Sequence, residues 1–381
     1  MSAKILIATF GFYPETHGIA QVAYRQAIGM HLLGYDVTVV TRSFPRSYKL
    51  PFKVITYPVP SRRFPRLFQH KAAKAYQRFL LDSDFDVLFF HCWETWVSEL
   101  AIPLLGQIKG KTVLISHGTT THLRYPGFKG WLRWLLHRPA AWGFSKKLTC
   151  FDHYVFLSNQ SDKQRMWDVM EAKRLGITNF TIIPNGAHPA FSDPATVDFR
   201  AKYNIQSTHL LLCVGNFIRE KGQLELLQWF SELSLEDTAL VLIGSRFNAY
   251  SATLKRAIGT QRHKTVYLLE QLPTKEIRAA YDAATLFVSA TYTEVQPLVL
   301  IDAMAVGLPF LCRKTGTVPA MDGGICFQSK KEFQAKLQWL LRNPLILKSL
   351  SNKGKLAVQQ TYHWEIPLQS HHKLIQKLIA P

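Results

Sequence analysis

The chain has 381 residues, of which 47% are hydrophobic and 19% are charged, and it contains no low-complexity tract. This length and composition predict a folded protein of two domains and exclude a disordered chain. No uninterrupted apolar run reaches the length needed to span a bilayer, and the five cysteines show no CxxC spacing. The net charge of +20 calls for an anionic partner or surface.

The amino-terminal part of the chain has the pattern of a doubly wound α/β domain. Residues 4–10 predict a buried strand, positions 19–33 keep helical spacing, and residues 36–40 predict a second strand. Gly18 lies in the turn before the helix, where a glycine lets the backbone approach a bound phosphate; an ordinary strand-to-helix turn has the same composition. The first residues lack the cleavage site of a signal peptide, so we expect a cytoplasmic protein with reduced cysteines.

Two segments, residues 42–81 and 124–147, combine basic and aromatic residues and contain no acidic residue. In the second, Trp131, Trp134, Leu135 and Trp142 could lie at the level of lipid headgroups with Arg and Lys above them. We expect both segments to contact an anionic membrane surface, where each nearby cation contributes about 1 kcal/mol. The alternatives are a solvated basic face, a nucleic-acid surface, or tryptophans packed into the core. We favour the membrane over nucleic acid, which gives a peripheral protein on the inner face of the membrane.

Two further patterns in the amino-terminal half of the chain bear on metal binding and ligand binding. Asp82, Asp84 and Asp86 have spacings that could hold a divalent cation, but a clear strand, residues 87–91, follows directly. We therefore expect these acids in the loop that enters the strand, and we predict no metal site. His117 follows the strand predicted for residues 112–115, at the carboxyl end, where open α/β sheets bind ligands. A hydrogen-bonded loop histidine is the alternative there.

The second half repeats the α/β pattern. Residues 210–215 predict its first strand, and Lys221 comes just after it at the start of a helix, where an ammonium can neutralise a diphosphate. The predicted division is a first domain at 1–188, a linker at 189–206, a second domain at 207–362, and a final helix at 363–381 that returns to the first domain.

The most informative stretch runs from residue 286 to residue 312. A strand is followed by a turn that contains Glu294, and Pro297 suits the first turn of the next helix, which ends at Gly307. Asp302 lies about 7 to 8 Å further along this helix axis. Free amides and the helix dipole favour a phosphate at the tip, so a ligand with a phosphate between hydroxyl groups, such as a nucleotide sugar, fits. The alternative is that Glu294 caps the helix and Asp302 lies on a solvated face.

This stretch resembles the nucleotide-sugar signature of retaining GT-B glycosyltransferases of the family 4 type. That signature has Glu, seven residues, a second Glu, then Ala-Met and Gly-x-Pro. The corresponding residues here are Glu294, Asp302, Ala303, Met304, Gly307 and Pro309. Several positions along the chain depart from the family's pattern, among them Gln296 and Pro297 in place of the usual Phe-Gly, and three of the departures bear on activity. Asp302 is one methylene shorter than the usual Glu, Asn216 replaces an Arg, and Ala320 replaces a frequent Glu.

The resemblance implies a fold of two Rossmann-like α/β domains facing a cleft, and it implies roles for particular residues. Glu294 would orient the sugar, Asp302 would accept from the ribose, and His117 would approach the sugar. The diphosphate would be bound by Lys221, by Arg219 or Arg246 in place of the Arg missing at Asn216, and by amides at the helix tip near Pro297 and Leu298. The resemblance further implies transfer with retention of configuration. The sequence shows no convincing covalent nucleophile, so the leaving phosphate would serve as the base, with neither metal nor cofactor.

The expected donor is a nucleotide sugar, with a UDP-sugar favoured, and it is a substrate rather than a cofactor. The basic aromatic segments favour a membrane-borne acceptor, such as a lipopolysaccharide or lipid-linked oligosaccharide precursor. Two other functions remain open from the sequence. One is a nucleotide-sugar epimerase of the same fold, and the other is a non-catalytic nucleotide-sugar-binding or scaffold protein, which the three departures make plausible.

Overall fold

The computed structural model describes residues 2–60, 71–123, 127–138, 143–163, 165–259 and 265–380. The chain divides into two compact units. Unit 1 contains residues 1–184 and 367–381, and unit 2 contains residues 185–366. Each unit is built on its own parallel sheet, so both are Rossmann-like α/β domains.

Unit 1 has a seven-stranded sheet in the order β3-β2-β1-β4-β5-β6-β7. Its strands are β1 (Lys4–Ala8), β2 (Asp36–Thr41), β3 (Lys53–Thr56), β4 (Val87–His91), β5 (Lys111–Ser116), β6 (His153–Phe156) and β7 (Phe180–Ile182). Its helices are α1 (Gly18–Leu32), α2 (Lys71–Asp82), α3 (Trp96–Ala101), α4 (Gly127–Leu136), α5 (Phe144–Lys147), α6 (Trp167–Arg174) and the last helix of the chain, α14 (Glu365–Ile379). The strand order reverses between β1 and β4, and such a switch point is where ligands bind in these sheets.

Apolar strands and helix faces build the core of unit 1. Strand β4 is fully buried and β1 is buried except for half-buried Lys4, as expected for apolar runs in a parallel sheet. In α1, Ala20, Ala23, Ala27 and Met30 are buried at helical spacing. The last helix contributes Leu374 and Ile375 to the same core.

Unit 2 has a six-stranded parallel sheet in the order β10-β9-β8-β11-β12-β13. Its strands are β8 (His209–Val214), β9 (Thr238–Gly244), β10 (Thr265–Glu270), β11 (Leu286–Ser289), β12 (Phe310–Arg313) and β13 (Gly324–Phe327). Its helices are α7 (Phe199–Lys202), α8 (Gln223–Ser231), α9 (Ala249–Gly259), α10 (Thr274–Ala283), α11 (Leu298–Val306), α12 (Lys330–Leu341) and α13 (Pro344–Ala357). Successive residues of β8 enter two different cores, one on each face of the sheet.

Helix α11 covers the run from Leu298 that the sequence predicts to be helical, but Pro297 lies just before the helix rather than in its first turn. Pro297 is its N-cap, with an extended backbone (φ −73°, ψ 117°), and Leu298 is the first helical residue. The helix ends at Gly307, whose φ of +78° is the left-handed conformation that glycine adopts without strain. Pro297 at the start and Gly307 at the end therefore fix the bounds of this helix between β11 and β12.

Candidate functional site

A narrow recess in unit 2 lies where β8, β11 and β12 end at their carboxyl edge. Its lining includes Gly215, Lys221, Ser289, Glu294, Pro297, Arg313 and Thr315. Its volume is about 20 Å³, which is room for about one water molecule. The recess therefore brings together the predicted lysine, the predicted glutamate and the tip of α11.

Lys221 and Glu294 form an ion pair at this recess, with Lys221 Nζ donating to Glu294 Oε1. The two side chains are mostly buried, so water screens the pair only partly. Removing either partner would leave an uncompensated charge in a partly buried place, which is costly. The pairing of these two residues is the central feature of the unit 2 site.

The loop that carries Lys221 is packed tightly against the end of β11. Gly222 has a φ of +64°, and a Cβ added there would lie 2.3 Å from the carbonyl oxygen of Ala290. The amide of Tyr292 donates to the carbonyl of Glu220 at 2.9 Å, which ties the two loops together. Close contact of the two backbones therefore places Lys221 beside Glu294.

The tip of α11 can supply hydrogen-bond donors to the recess. The first amides of any helix have no acceptor within the helix, and the dipole makes this end positive. Pro297 and Val299 line the recess, whereas Leu298, also named from the sequence, is half-buried and is not part of the lining. The tip has the properties of an anion-binding site next to a cation.

Asp302 lies elsewhere. Its side chain is buried and is not part of the lining of the recess. Its Oδ1 accepts a hydrogen bond of 2.8 Å from the backbone amide of His188. Asp302 therefore holds the first residues of unit 2 in place, and its contact with a ribose stays a prediction.

The cations proposed to compensate for Asn216 are not at the recess. Asn216 is half-buried, and its carbonyl accepts from the side chain of Gln223 at 2.9 Å. Arg219 and Arg246 are exposed and do not line the recess. Their role in binding a diphosphate stays a prediction.

Arg313 is a cation of the recess that the sequence reasoning missed. Its Nε donates to the carbonyl of Ala290 at 3.0 Å, and its guanidinium lies over the ring of Tyr292 at 4.6 Å. Nη2 is 3.5 Å from a carboxylate oxygen of Glu225. Arg313 is the last residue of β12, so the rule that ligands bind at carboxyl ends of strands could have identified it.

In unit 1, His117 follows β5 and is 7% exposed. Its Nε2 is 3.1 Å from Nδ1 of His91, the last residue of β4, and Nε2 of His91 is 2.8 Å from Oε1 of Gln26. Burial lowers the pKa of His117 to about 3, so the ring is neutral at physiological pH. His91 also ends a strand, so the sequence could have indicated it, whereas no sequence pattern points to Gln26.

Gly18 is the first residue of α1, and the residue before it occupies the helix end. His17 is the N-cap, and its Nδ1 accepts from the amide of Ala20 at 3.3 Å. Its Nε2 is 2.9 Å from a carboxylate oxygen of Glu15. Approach of a phosphate to Gly18 stays a prediction.

Of the three acids predicted in the loop before β4, Asp84 and Asp86 lie there, whereas Asp82 is the last residue of helix α2. The side chain of Asp84 pairs with the ammonium of Lys4 at 2.6 Å, and Asp86 accepts from the Lys4 amide at 2.7 Å. Across the part of the chain that the structure describes, no group of three or more His, Cys, Asp or Glu side chains is arranged to hold a metal ion.

The two basic aromatic segments differ in structure. In residues 42–81, Phe44 and Phe52 pack against Phe12, and residues 53–56 form the edge strand β3, so these aromatic rings face the core. The described Lys and Arg side chains of this segment are exposed, and residues 61–70 lie outside the described residues. This segment therefore presents charge to the solvent, and its described phenylalanines do not form an apolar surface.

Helix α4, in the second segment, has an exposed apolar face. Its members are Phe128, Trp131, Leu132, Leu135 and Leu136. They recur at spacings of three and four, so they share one side of the helix. Trp134 is instead half-buried beneath Arg138, and Trp142 lies outside the described residues. No helix in the described ranges is both long enough and apolar enough to cross a bilayer.

Two Rossmann-like domains with polar side chains gathered at the carboxyl ends of their strands agree with the GT-B architecture that the sequence predicts. Residues 16–191 match the family described as Glycosyltransferase Family 4, and residues 197–357 match Glycosyl transferases group 1. The chain therefore belongs to the GT-B glycosyltransferases of the family 4 type, as the signature around Glu294 predicted.

Individual relatives agree with this assignment. The alpha-monoglucosyldiacylglycerol synthase of Acholeplasma laidlawii is 25% identical over an alignment of 406 residues, which covers 99% of this chain and 97% of that protein. The solved structure of sucrose-phosphate synthase from Thermosynechococcus elongatus has a TM-score of 0.79 at 18% identity and covers 99% of both chains. Anabaena Alr3699/HepE, solved with UDP-glucose, has a TM-score of 0.74 at 12% identity, covering 98% of this chain and all of that one.

Proposed function

We propose that this glycosyltransferase moves a sugar, with retained configuration, from a nucleotide-sugar donor to a membrane-associated glycan acceptor. A UDP-sugar is the favoured donor, and a lipopolysaccharide or lipid-linked oligosaccharide precursor is the favoured acceptor class. The observation that carries the proposal is the Lys221–Glu294 pair beside the tip of α11. UDP-glucose bound to the Anabaena neighbour and the diacylglycerol-derived product named for the Acholeplasma relative support the two substrate classes.

The pair suits the chemistry of separating a sugar from a diphosphate. Lys221 and the helix-tip amides would stabilise the negative charge that develops on the leaving phosphate, in a place shielded from water. Glu294 would accept hydrogen bonds from sugar hydroxyls. In the absence of donor the carboxylate compensates the ammonium, so donor binding exchanges one anionic partner of Lys221 for another.

The reaction that we propose needs no protein nucleophile and no metal. The bond from the anomeric carbon to the leaving phosphate breaks while the acceptor oxygen bonds to that carbon on the same face. The acceptor proton passes to an oxygen of the departing phosphate. His117 of unit 1 would contact a substrate hydroxyl, and unit 1 would bind the acceptor.

The proposal is tested with Glu294→Gln, which keeps the size of the side chain and removes its charge. We expect kcat/KM for transfer to fall at least about 100-fold, the range lost when a stabilising group of the transition state is removed. Glu232→Gln is the matched control, because Glu232 forms an exposed ion pair with Lys330 in the same unit. Near-normal transfer by Glu294→Gln would overturn the assignment.

A panel of nucleotide sugars with the wild-type protein separates the remaining functions. Transfer that persists in excess chelator supports the metal-free route, and strict dependence on a divalent cation contradicts it. Conversion of the donor to an isomer without acceptor would show an epimerase. Binding without any turnover would show a non-catalytic protein.

We further propose that the protein is peripheral on the cytoplasmic face of the membrane. The apolar face of α4 supports this, because exposed apolar side chains at helical spacing, with Arg138, Lys146 and Lys147 nearby in sequence, have the composition of an interfacial helix. The exposed cations of residues 42–60 and 71–81 would add electrostatic attraction to anionic lipid. A membrane surface also gives access to a lipid-borne acceptor.

A further inference from the structure

Three buried side chains of unit 1 form a chain of hydrogen bonds that ends at His117. Gln26 lies on α1, His91 ends β4 and His117 follows β5, and their exposed fractions are 2%, 0% and 7%. The two ring nitrogens that face each other are 3.1 Å apart, and the outer nitrogen of His91 is 2.8 Å from the Gln26 oxygen. The imidazole rings stack with an interplanar angle of 24°. Neighbouring parallel strands, with His91 in register with Ile115, hold the two histidines together.

The direction of these hydrogen bonds follows from the donor and acceptor properties of each group. In the orientation that the structure gives the Gln26 amide, its oxygen faces His91 and can only accept, so Nε2 of His91 carries a proton, while the amide nitrogen of Gln26 is buried without a partner among the described residues. His91 is fully buried, and burial lowers its pKa well below the ordinary value, so the ring is neutral and its Nδ1 is an acceptor. Nε2 of His117 must therefore donate to it, which leaves Nδ1 of His117 without a proton.

Nδ1 of His117 is the ring atom still available to a ligand. It makes no hydrogen bond to any residue that the structure describes, and it is not among the fully buried polar atoms that lack a partner. Besides His91, the charged and titratable groups that bear on His117 are Arg165, His17 and His371, and none of them is acidic. The ring thus presents an unprotonated nitrogen, an acceptor, at the carboxyl end of the sheet.

We propose that Gln26 and His91 are positioning residues that hold His117 in the Nε2–H tautomer, so that Nδ1 accepts a hydrogen bond from a substrate hydroxyl. This inference rests on the proposed function, in which His117 contacts substrate. The other tautomer would place two lone pairs against each other between the histidines, or would force the buried amide to turn. The relay formed by Gln26, His91 and His117 therefore determines whether the ring nitrogen that meets the substrate donates or accepts a hydrogen bond.

The first test needs no substrate. The ¹⁵N chemical shifts of labelled histidines report which ring nitrogen carries the proton. We expect His117 of the wild-type protein to show a protonated Nε2 and an unprotonated Nδ1, and Gln26→Leu, which removes the acceptor, to mix the two tautomers. A protonated Nδ1 in the wild-type protein would overturn the proposal whether or not the protein transfers a sugar.

The second test separates positioning from simple packing by pH. In Gln26→Glu a buried carboxylate faces His91 and favours the protonated form of its ring. In that form Nδ1 of His91 donates to Nε2 of His117, so the proton of the His117 ring must move to its own Nδ1. His117 and His371 are the titratable groups that already bear on His91. We expect Gln26→Glu to lose about tenfold in kcat/KM at pH 6 and to recover as the pH rises, whereas Gln26→Leu loses a similar factor at every pH. Losses by both variants that do not change with pH would show a packing role only.

The third test concerns the nitrogen that meets the substrate. In His117→Asn an amide group lies near the place of Nδ1, whereas in His117→Gln it lies near the place of Nε2. We expect His117→Asn to keep about tenfold more activity than His117→Gln, and Gln26→Leu to cause no further loss in the His117→Asn background. Higher activity of His117→Gln than of His117→Asn would contradict the proposal. A wild-type protein without transferase activity would instead refute the proposed function, and the ¹⁵N measurement would still decide the tautomer.

Discussion

Removing the apolar side chains at the two ends of α4 should release the protein from anionic vesicles. Phe128 and Leu136 are 73% and 71% exposed, so their truncation leaves little of the folded core altered. Full burial of such a side chain is worth about 1.5 to 3 kcal/mol, and the exposed fractions reduce this to about 1 to 2 kcal/mol each. The double variant Phe128→Ser/Leu136→Ser should therefore bind membranes about 2 to 4 kcal/mol less tightly, which is roughly 30- to 1000-fold.

The assay is co-sedimentation with vesicles that contain anionic lipid, at low and at physiological salt. Leu32→Ser/Leu345→Ser is the matched control, because these leucines are 77% and 80% exposed and lie on α1 and α13. We expect the control to bind like the wild-type protein. Equal binding by the α4 variant would refute the reasoning, and loss of binding by the control alone would move the membrane surface to another part of the chain.

Three further substitutions test individual parts of the structure. Gly222→Ala should cost about 2 to 5 kcal/mol of unfolding free energy and most of the activity, because the left-handed φ and the 2.3 Å approach of a backbone oxygen act together. Gly176→Ala is the control, since Gly176 has a φ of +67° and no atom within 4 Å of an added Cβ, and it should cost only about 1 to 2 kcal/mol. Thermal unfolding of both variants measures the difference. Asp302→Asn keeps an oxygen for the backbone amide of His188 and removes the negative charge. The KM for the donor should therefore rise about tenfold if Asp302 binds the ribose. An unchanged KM would exclude Asp302 from the donor site. Burial lowers the pKa of His371 to about 4, so its contribution to stability is present above pH 6.5 and is lost as the pH falls toward 4. His371→Leu should therefore reduce the difference in unfolding free energy between pH 8 and pH 5 by about 2 kcal/mol. Urea unfolding at the two pH values measures this difference, and an unchanged difference would contradict the reasoning.

The sequence predicted the sheet of each unit well where strands are buried and apolar. Residues 87–91 and 286–289 are short apolar runs with clear ends, and the structure places strands there. The edge strand β3 was missed, because its four residues follow a basic segment that was interpreted by charge. Helix α2 was missed for the same reason, although its buried Ala73, Tyr76 and Leu80 have helical spacing.

Contacts between distant positions limited the prediction of the site. The sequence named both Lys221 and Glu294, but their pairing depends on the close approach of Gly222 to the carbonyl of Ala290, which no local pattern indicates. The contact of Asp302 with the His188 amide joins positions 114 residues apart. The relay through His91 and Gln26 depends in the same way on which strands and helices become neighbours. Residue type and strand ends could suggest candidates, but only the fold selects their partners.

The charge balance of the unit 2 recess explains why its two cations cannot have the same role. The guanidinium of Arg313 is held by a backbone carbonyl, by the ring of Tyr292 and by Glu225 on helix α8, so moving it would break several contacts. Lys221 has an ion-pair partner, Glu294, on a turn rather than on a helix. A diphosphate that enters the recess brings negative charge, and the carboxylate on the turn can yield at lower cost than the one on the helix. In the reaction that we propose, Lys221 is therefore the cation suited to exchange partners, and Arg313 is the cation that keeps the wall of the recess in place.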